Sequence, residues 1–144
     1  MTQDSRVRPL VIVAAAALVR SDGRLLLAQR PVGKPMAGLW EFPGGKVEDG
    51  EGPQGALVRE LLEELGVVLD ERDLQAFAVA SHSYDSFNLL MTVFMIRRWQ
   101  GDLEAREGQN LVWVSADQIR NYPAPAADLP VFERFIDWSK AGRA

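Results

Sequence analysis

GKVEDGEGPQGALVRELLEELGV, residues 45–67, is the stretch that decides the fold of this chain. Pro53 suits the first turn of a helix, and Gly66 suits the position just after a helix ends. In a helix between them, the side chains of Glu60, Glu63 and Glu64 fall within an arc of about 100°. Leucines occupy the other side. The stretch therefore predicts an amphipathic helix with an apolar face toward the core and an acidic face away from it.

The acidic face has two interpretations. Glu60 and Glu64 lie four residues apart, where like charges repel by roughly a few tenths of a kcal/mol, and Arg59 is the one basic side chain beside them. A solvated acidic surface tolerates this repulsion, whereas a bound divalent cation would relieve it. Ala56, a small residue among the glutamates, would let another backbone segment approach. The helix alone leaves both interpretations open.

Composition narrows the chemistry. The chain has 144 residues, 47% of them hydrophobic, and a net charge of −4, which is typical of one soluble domain, here expected over residues 1–144. Its acidity argues against broad nucleic-acid binding, and its apolar runs are too short for a membrane span. With no cysteine and with His82 as its single histidine, any metal site must present oxygen ligands to a hard cation. We expect a cytoplasmic monomer or weak dimer that binds neither nucleic acid nor membrane.

Apolar runs alternate with turns along the rest of the chain. Strands are predicted at 11–19, 24–29, 75–82, 88–99 and 111–114, with short extended pieces at 39–42 and 45–47. A turn at Asp22-Gly23 predicts that the first two strands form a hairpin. The first run also has the length of a signal peptide, but its removal would delete half of that hairpin. One helical turn is predicted at 117–120 and a last helix at Leu129–Lys140, which together indicate an α/β protein with a mixed sheet between helices.

The spacing in the quoted stretch matches a known family. The pattern Gly45-x5-Glu51-x7-Arg59-Glu60-Leu61-x-Glu63-Glu64-x-Gly66-Val67 resembles an intact Nudix box, with every fixed position filled. The resemblance implies an α/β/α sandwich with a mixed sheet, in which the box forms a loop–helix–loop. It also implies a hydrolase that cleaves phosphoanhydride bonds in a nucleoside triphosphate, its small-molecule partner.

The resemblance assigns roles to the box. It implies that Glu60, Glu63, Glu64 and the carbonyl of Gly44 hold Mg²⁺, with Mn²⁺ as a possible substitute. By the same resemblance, Arg59 and Glu51 orient the glutamates through ion pairs. A plain surface ion pair is the alternative for Arg59.

Residues outside the box resemble the MutT branch of the family, which hydrolyses 8-oxo-dGTP. Arg30 matches an arginine that contacts phosphate and base, Lys46 a lysine near the leaving phosphate, and Phe42 a position in the substrate site. Glu107 matches an additional metal ligand or proton acceptor. Its alternative is an exposed loop glutamate.

Asp128 bears on which nucleobase the site would bind. Asp128 stands where MutT enzymes have an asparagine, and an ionised aspartate only accepts hydrogen bonds. It would repel O6 of 8-oxoguanine unless protonated, but would accept from guanine N1–H and N2–H₂ or from cytosine N4–H₂. Its alternative role is to cap the last helix. Tyr84 and Phe87 either stack on the base or belong to the core.

These residues support an 8-oxo-dGTP diphosphatase as the first expectation. A CTP or 5-methyl-dCTP pyrophosphohydrolase is the alternative, because CTP-cleaving relatives carry aspartate at the position of Asp128. A dinucleoside polyphosphate hydrolase, suggested by Tyr84 alone, and a nucleotide-sensing module without activity are further alternatives. The intact box glutamates argue against the sensing module.

Overall fold

The computed structural model describes residues 7–142, with seven strands and two α-helices in this range. The strands are β1 (Leu10–Leu18), β2 (Leu25–Gln29), β3 (Trp40–Glu41), β4 (Gly44–Lys46), β5 (Gln75–Ser83), β6 (Asn88–Ile96) and β7 (Asn110–Val114). The helices are α1 (Pro53–Leu65) and α2 (Leu129–Lys140), and two 3₁₀ turns lie at Glu71–Asp73 and Ile119–Asn121. No helix in the described range is long and apolar enough to cross a membrane.

The strands form two sheets. The larger has the order β4-β1-β6-β5 and the smaller the order β3-β2-β7. In the larger sheet β1 runs parallel to β6, while β4 and β5 pair antiparallel with their neighbours. The larger sheet is therefore mixed, as the sequence predicted.

The predicted hairpin between the first two strands is confirmed at its turn but not along the strands. The Arg20 N–H donates to the Arg24 carbonyl at 2.9 Å and Val19 forms an antiparallel bridge with Leu25, but β1 and β2 then belong to different sheets. Residues 14–17 of β1 are alanines with at most 1% exposure. Alanine side chains on both faces let α1 approach one face of the larger sheet and α2 the other. A two-stranded hairpin with one solvated face does not need such burial.

The two faces of the larger sheet pack against different helices. Ala14, Ala16 and Leu18 pack with Leu57 and Leu61 of α1. Ala15 and Ala17 pack with Val131, Phe132 and Phe135 of α2. The α/β/α arrangement predicted from the sequence is confirmed, and it presents the glutamates of α1 at the edge of the sheet rather than in the core.

Several boundaries differ from the sequence predictions. β6 ends at Ile96 rather than at residue 99, because Arg97 and Arg98 are exposed and the chain leaves the sheet. The helical turn predicted at 117–120 lies at Ile119–Asn121 instead. Leu62 was predicted to face the core but is 47% exposed. The apolar face of α1 is therefore narrower than its sequence suggests.

Candidate active site

Two glycines bring β4 close to its neighbours. A side chain at Gly44 would collide with the backbone of Ala14 and Ala15, so only glycine allows β4 to pair with β1 at this point. A methyl group at Gly45 would overlap the carboxylate of Glu60. β4 thus lies directly against the acidic face of α1.

Arg59 organises the acidic side chains around it. Its guanidinium donates two hydrogen bonds of 2.8 Å to the carboxylate of Glu51, one from Nε and one from Nη2. It also donates to Glu60 Oε1 at 3.0 Å and to the carbonyl of Lys46 at 3.2 Å. The two bonds from Arg59 to Glu51, together with one of 3.0 Å from the Glu48 N–H, lower the pKa of Glu51 to about 2. The contacts agree with an orienting role for Arg59, which joins three segments of the chain instead of making one surface pair.

Glu64 is the most perturbed carboxyl group of the helix. Burial raises its pKa to about 9, and the nearby charges of Glu60, Glu107 and Glu41 add to the effect. Its Oε2 atom is shielded from solvent and has no hydrogen-bond partner among the described residues. Burial also raises the pKa of Glu60, although the Arg59 guanidinium opposes this. Repulsion among the glutamates is therefore present in the folded protein.

The carboxylate oxygens of the acidic face are suitable ligands for a hard divalent cation, although they are not arranged as a complete metal site. Within residues 7–142 the acidic side chains do not form a group of three or more arranged to hold a metal ion. Glu60 and Glu63 point to Arg59, at 3.0 and 3.6 Å. The unpartnered oxygen of Glu64 and the raised pKa of two carboxyls are what a cation would relieve. The ligand assignments stay predictions, and an ion would compete with Arg59 for Glu60.

A cavity of about 280 Å³ lies beside the acidic face. Its lining includes Glu64, Lys46 and Glu107 from the predicted catalytic group and Arg30, Asp128 and Tyr84 from the predicted substrate group. Phe87, Leu89 and Met91 add an apolar wall. The fold thus brings residues separated by up to about a hundred positions in sequence into one pocket, large enough for part of a nucleotide.

Glu107 lies near the box glutamates on an exposed loop. Its charge raises the pKa of both Glu60 and Glu64. Its backbone N–H donates to Gln109 Oε1 at 2.8 Å, and Gln109 Nε2 donates to the carbonyl of Glu64 at 3.1 Å. Gln109 therefore ties the Glu107 loop to the end of α1. The position agrees with a metal ligand or proton acceptor, and this role stays a prediction.

Asp128 does not cap the last helix with its side chain. It precedes α2, but within the described residues its carboxylate makes no capping hydrogen bond. Oδ2 instead accepts a bond of 3.1 Å from the backbone N–H of Phe42. Asp128 is only 4% exposed, and burial raises its pKa to about 7 while the Phe42 N–H opposes this. The capping alternative is wrong, because the side chain binds the N–H of Phe42, just after β3, and the sequence does not show that this donor lies nearby.

Phe42 contributes to the site mainly through its backbone. Its ring is buried and packs edge-on against Phe132, with 5.6 Å between centroids. The N–H of Phe42 holds Asp128 in place. A contact between the ring and substrate stays a prediction that packing in the core does not favour.

Glu41 is a residue that the sequence reasoning missed. Its carboxylate lies 2.8 Å from Arg30 Nε, and both side chains line the cavity. Burial raises the pKa of Glu41 despite the opposing charge of Arg30. A charged residue between Trp40 and Phe42, in a strand that is otherwise apolar, was the available signal. Arg30 therefore reaches the cavity as half of an ion pair.

Comparison with known proteins agrees with this fold and site. The NUDIX domain model matches residues 14–134, and the chain belongs to the Nudix family. It is a Nudix hydrolase, and members of this family generally use divalent metal ions.

Two relatives and one solved structure are similar to this chain over most of its length. The CTP pyrophosphohydrolase of Escherichia coli is 42% identical over 128 residues, covering 88% of this chain and 92% of the relative. The 8-oxo-dGTP diphosphatase of Haemophilus influenzae is 33% identical over 128 residues, covering 88% and 93%. The solution structure of the E. coli ORF135 protein superimposes with a TM-score of 0.81 at 38% identity, covering 95% of this chain and 96% of that one.

Proposed function

We propose that the protein is a Mg²⁺-dependent pyrophosphohydrolase that cleaves a cytosine nucleoside triphosphate, such as CTP or 5-methyl-dCTP, into the monophosphate and pyrophosphate. The observation that carries the proposal is one cavity lined by both the α1 acid Glu64 and the buried acid Asp128. The first would serve the phosphates and the second the base.

The free oxygen of Asp128 favours a base with an amino group. Its Oδ2 is already occupied by the N–H of Phe42, so Oδ1 is left to face a ligand. When ionised, this oxygen accepts from the N4–H₂ group of cytosine. The 42% identical relative, named as a CTP pyrophosphohydrolase, supports the same choice.

A second candidate substrate is 8-oxo-dGTP, the first expectation from the sequence. A pKa of about 7 for Asp128 means that a large share of the molecules carry a neutral carboxyl at physiological pH. The neutral form donates as well as accepts and so suits 8-oxoguanine. In that case the enzyme would cleanse the nucleotide pool and protect DNA.

The residues would divide the reaction among them. Glu60, Glu63 and Glu64 would hold the cation with the Gly44 carbonyl and Glu107. When bound, the cation would neutralise phosphate charge and make a water more nucleophilic. A carboxylate, from Glu107 or the box, would accept the proton of the attacking water as its oxygen bonds to phosphorus and the anhydride bond breaks. Lys46 lies at the cavity, where it would meet the charge that develops on the departing pyrophosphate.

One experiment tests the proposal. The protein is incubated with MgCl₂ and, separately, CTP, 5-methyl-dCTP, 8-oxo-dGTP and dTTP, and released pyrophosphate is measured. We expect fastest release from a cytosine nucleotide and a loss of more than about 100-fold in Glu60→Gln. Glu133→Gln is the matched control, because Glu133 pairs with Arg120 on the exposed surface of α2. No release from any triphosphate by the wild-type protein would overturn the proposal.

A further inference from the structure

Three hydrogen bonds hold residues 123–128, named here the connector, in place. The carbonyl of Pro123 accepts from the Trp40 N–H at 2.7 Å. The N–H of Ala127 donates to the hydroxyl oxygen of Tyr84 at 3.2 Å. The carboxylate of Asp128 accepts from the Phe42 N–H at 3.1 Å. The bonds from Trp40 and Phe42 hold the connector to β3 and the residue that follows it. The bond to Tyr84 holds the connector to the other side of the cavity.

Tyr84 is itself held by its neighbours. Its N–H donates to the carbonyl of Phe87 at 2.8 Å and closes the turn between β5 and β6. Its ring stacks on Phe87, with 5.0 Å between centroids and 26° between planes, and meets His82 edge-on at 4.6 Å. The hydroxyl is therefore presented by a ring whose position is already set on both sides.

The Tyr84 hydroxyl binds the N–H of Ala127, the residue directly before Asp128, and can therefore influence the position of Asp128. Ala127 is 1% exposed and directly precedes Asp128. A buried backbone N–H without a partner is costly, so the connector would move to find one if the Tyr84 hydroxyl were removed. Any such movement would displace the neighbouring carboxyl relative to a bound base.

We propose that the Tyr84 hydroxyl is a positioning group. By binding the Ala127 N–H it fixes where the Asp128 carboxyl lies in the cavity, and thereby sets the affinity for the base. The proposal rests on the function proposed above. It differs from the base-stacking role that was one interpretation of Tyr84 in the sequence, because the ring already stacks on Phe87 and the hydroxyl makes the contact with the connector. Tyr84 would act on the base through Ala127 and Asp128, not by touching the reacting atoms.

Tyr84→Phe keeps the ring and removes only the hydroxyl. We expect KM for the best substrate of the wild-type panel to rise about 3- to 10-fold, the range for one neutral hydrogen bond, with kcat little changed. Binding of CMP and 8-oxo-dGMP without metal, measured by calorimetry, should weaken by the same factor for the preferred base. Binding of inorganic pyrophosphate with Mg²⁺, which has no base, should match wild type.

Two variants sharpen the test. Tyr122→Phe is the matched control, since Tyr122 is a half-buried tyrosine beside the connector whose ring packs on Trp40 at 5.4 Å; it should keep wild-type KM. Tyr84→Leu removes ring and hydroxyl together. If Tyr84→Phe binds CMP and 8-oxo-dGMP as wild type does while Tyr84→Leu does not, the ring is what matters and the proposal is overturned.

Two further results are decisive. Equal loss of pyrophosphate and monophosphate binding in Tyr84→Phe would assign the hydroxyl a general structural role and overturn the proposal. If the wild-type protein cleaves no triphosphate, the proposed function fails by itself. The metal-free monophosphate measurement then still decides whether the Tyr84 hydroxyl sets base affinity.

Discussion

Replacing Asp128 with asparagine should change how stability depends on pH. The ordinary pKa of this carboxyl is 3.8, and burial raises it to about 7 in the folded protein. Asparagine has the same shape and still accepts from the Phe42 N–H, but it does not titrate. The substitution therefore isolates the cost of ionising one buried group.

The sign follows from proton binding. Between pH 4 and pH 7 the unfolded chain has released the proton of Asp128 while the folded chain keeps it. The wild-type free energy of unfolding consequently falls across this window relative to Asp128→Asn. The difference between 3.8 and about 7 corresponds to an upper limit of about 4 kcal/mol, at about 1.4 kcal/mol for each pH unit. Above pH 8 the relative loss is complete and constant.

Urea unfolding at pH 4.5, 6 and 8.5 measures this difference directly. Titrating groups that do not act on Asp128 are the same in both proteins and cancel in the comparison, and the influence of the Glu41 charge is part of the raised pKa of Asp128 that the comparison measures. Asp137→Asn is the control, because Asp137 lies exposed on α2. Parallel pH profiles for wild type and Asp128→Asn would refute the reasoning, since Asp128 would then ionise as readily in the fold as in the unfolded chain.

Two more predictions concern the acidic face of α1. Gly45→Ala in β4 should weaken Mg²⁺ binding by about 10- to 100-fold, measured by calorimetry, because its methyl group overlaps the Glu60 carboxylate. Gly55→Ala in α1, where the added methyl group meets open space, should bind as wild type, and equal affinities in all three proteins would contradict the packing argument. At pH 8, Glu64 with a pKa of about 9 still holds its proton, so Mg²⁺ uptake should release close to one proton in wild type and none from this site in Glu64→Gln. Calorimetry in buffers of different ionisation enthalpy counts the protons, and identical release by the two proteins would show that Glu64 is not involved.

Local pattern predicted most of the secondary structure. The 3.6-residue period of α1, with Pro53 at its start and Gly66 after its end, gave both boundaries of the helix. The apolar stripe of the last helix likewise predicted α2 at Leu129–Lys140, the bounds found in the structure. These features depend on residues a few positions apart, and so a single sequence displays them.

Partners distant in sequence were harder to predict. The bond between Asp128 and the Phe42 N–H spans 86 positions, and nothing near Asp128 distinguishes it from an ordinary helix cap. The pair of Arg30 with Glu41 depends on β2 lying beside β3. The assignment of β1 and β2 to different sheets likewise depends on which strands pair, which periodicity does not encode. The box therefore predicted the chemistry, and the resemblance predicted several residues on the recognition side of the cavity, but the contacts that hold those residues in place were not predictable.

Two acids with a raised pKa, the half-buried Glu64 and the buried Asp128, line the same cavity and differ in what surrounds their carboxyl groups. Burial is the largest cause of the raised pKa in both. Four neighbouring carboxylates add to the effect at Glu64, whereas at Asp128 the Phe42 N–H and Arg30 oppose it and only the Glu41 charge adds to it. A divalent cation among the carboxylates would reverse the situation of Glu64, because it replaces repulsion by attraction. Asp128 is held by a backbone donor instead, so its protonation is expected to depend on pH and on the bound base more than on the metal. The fold thereby separates the group that would respond to the ion from the group that would respond to the nucleobase.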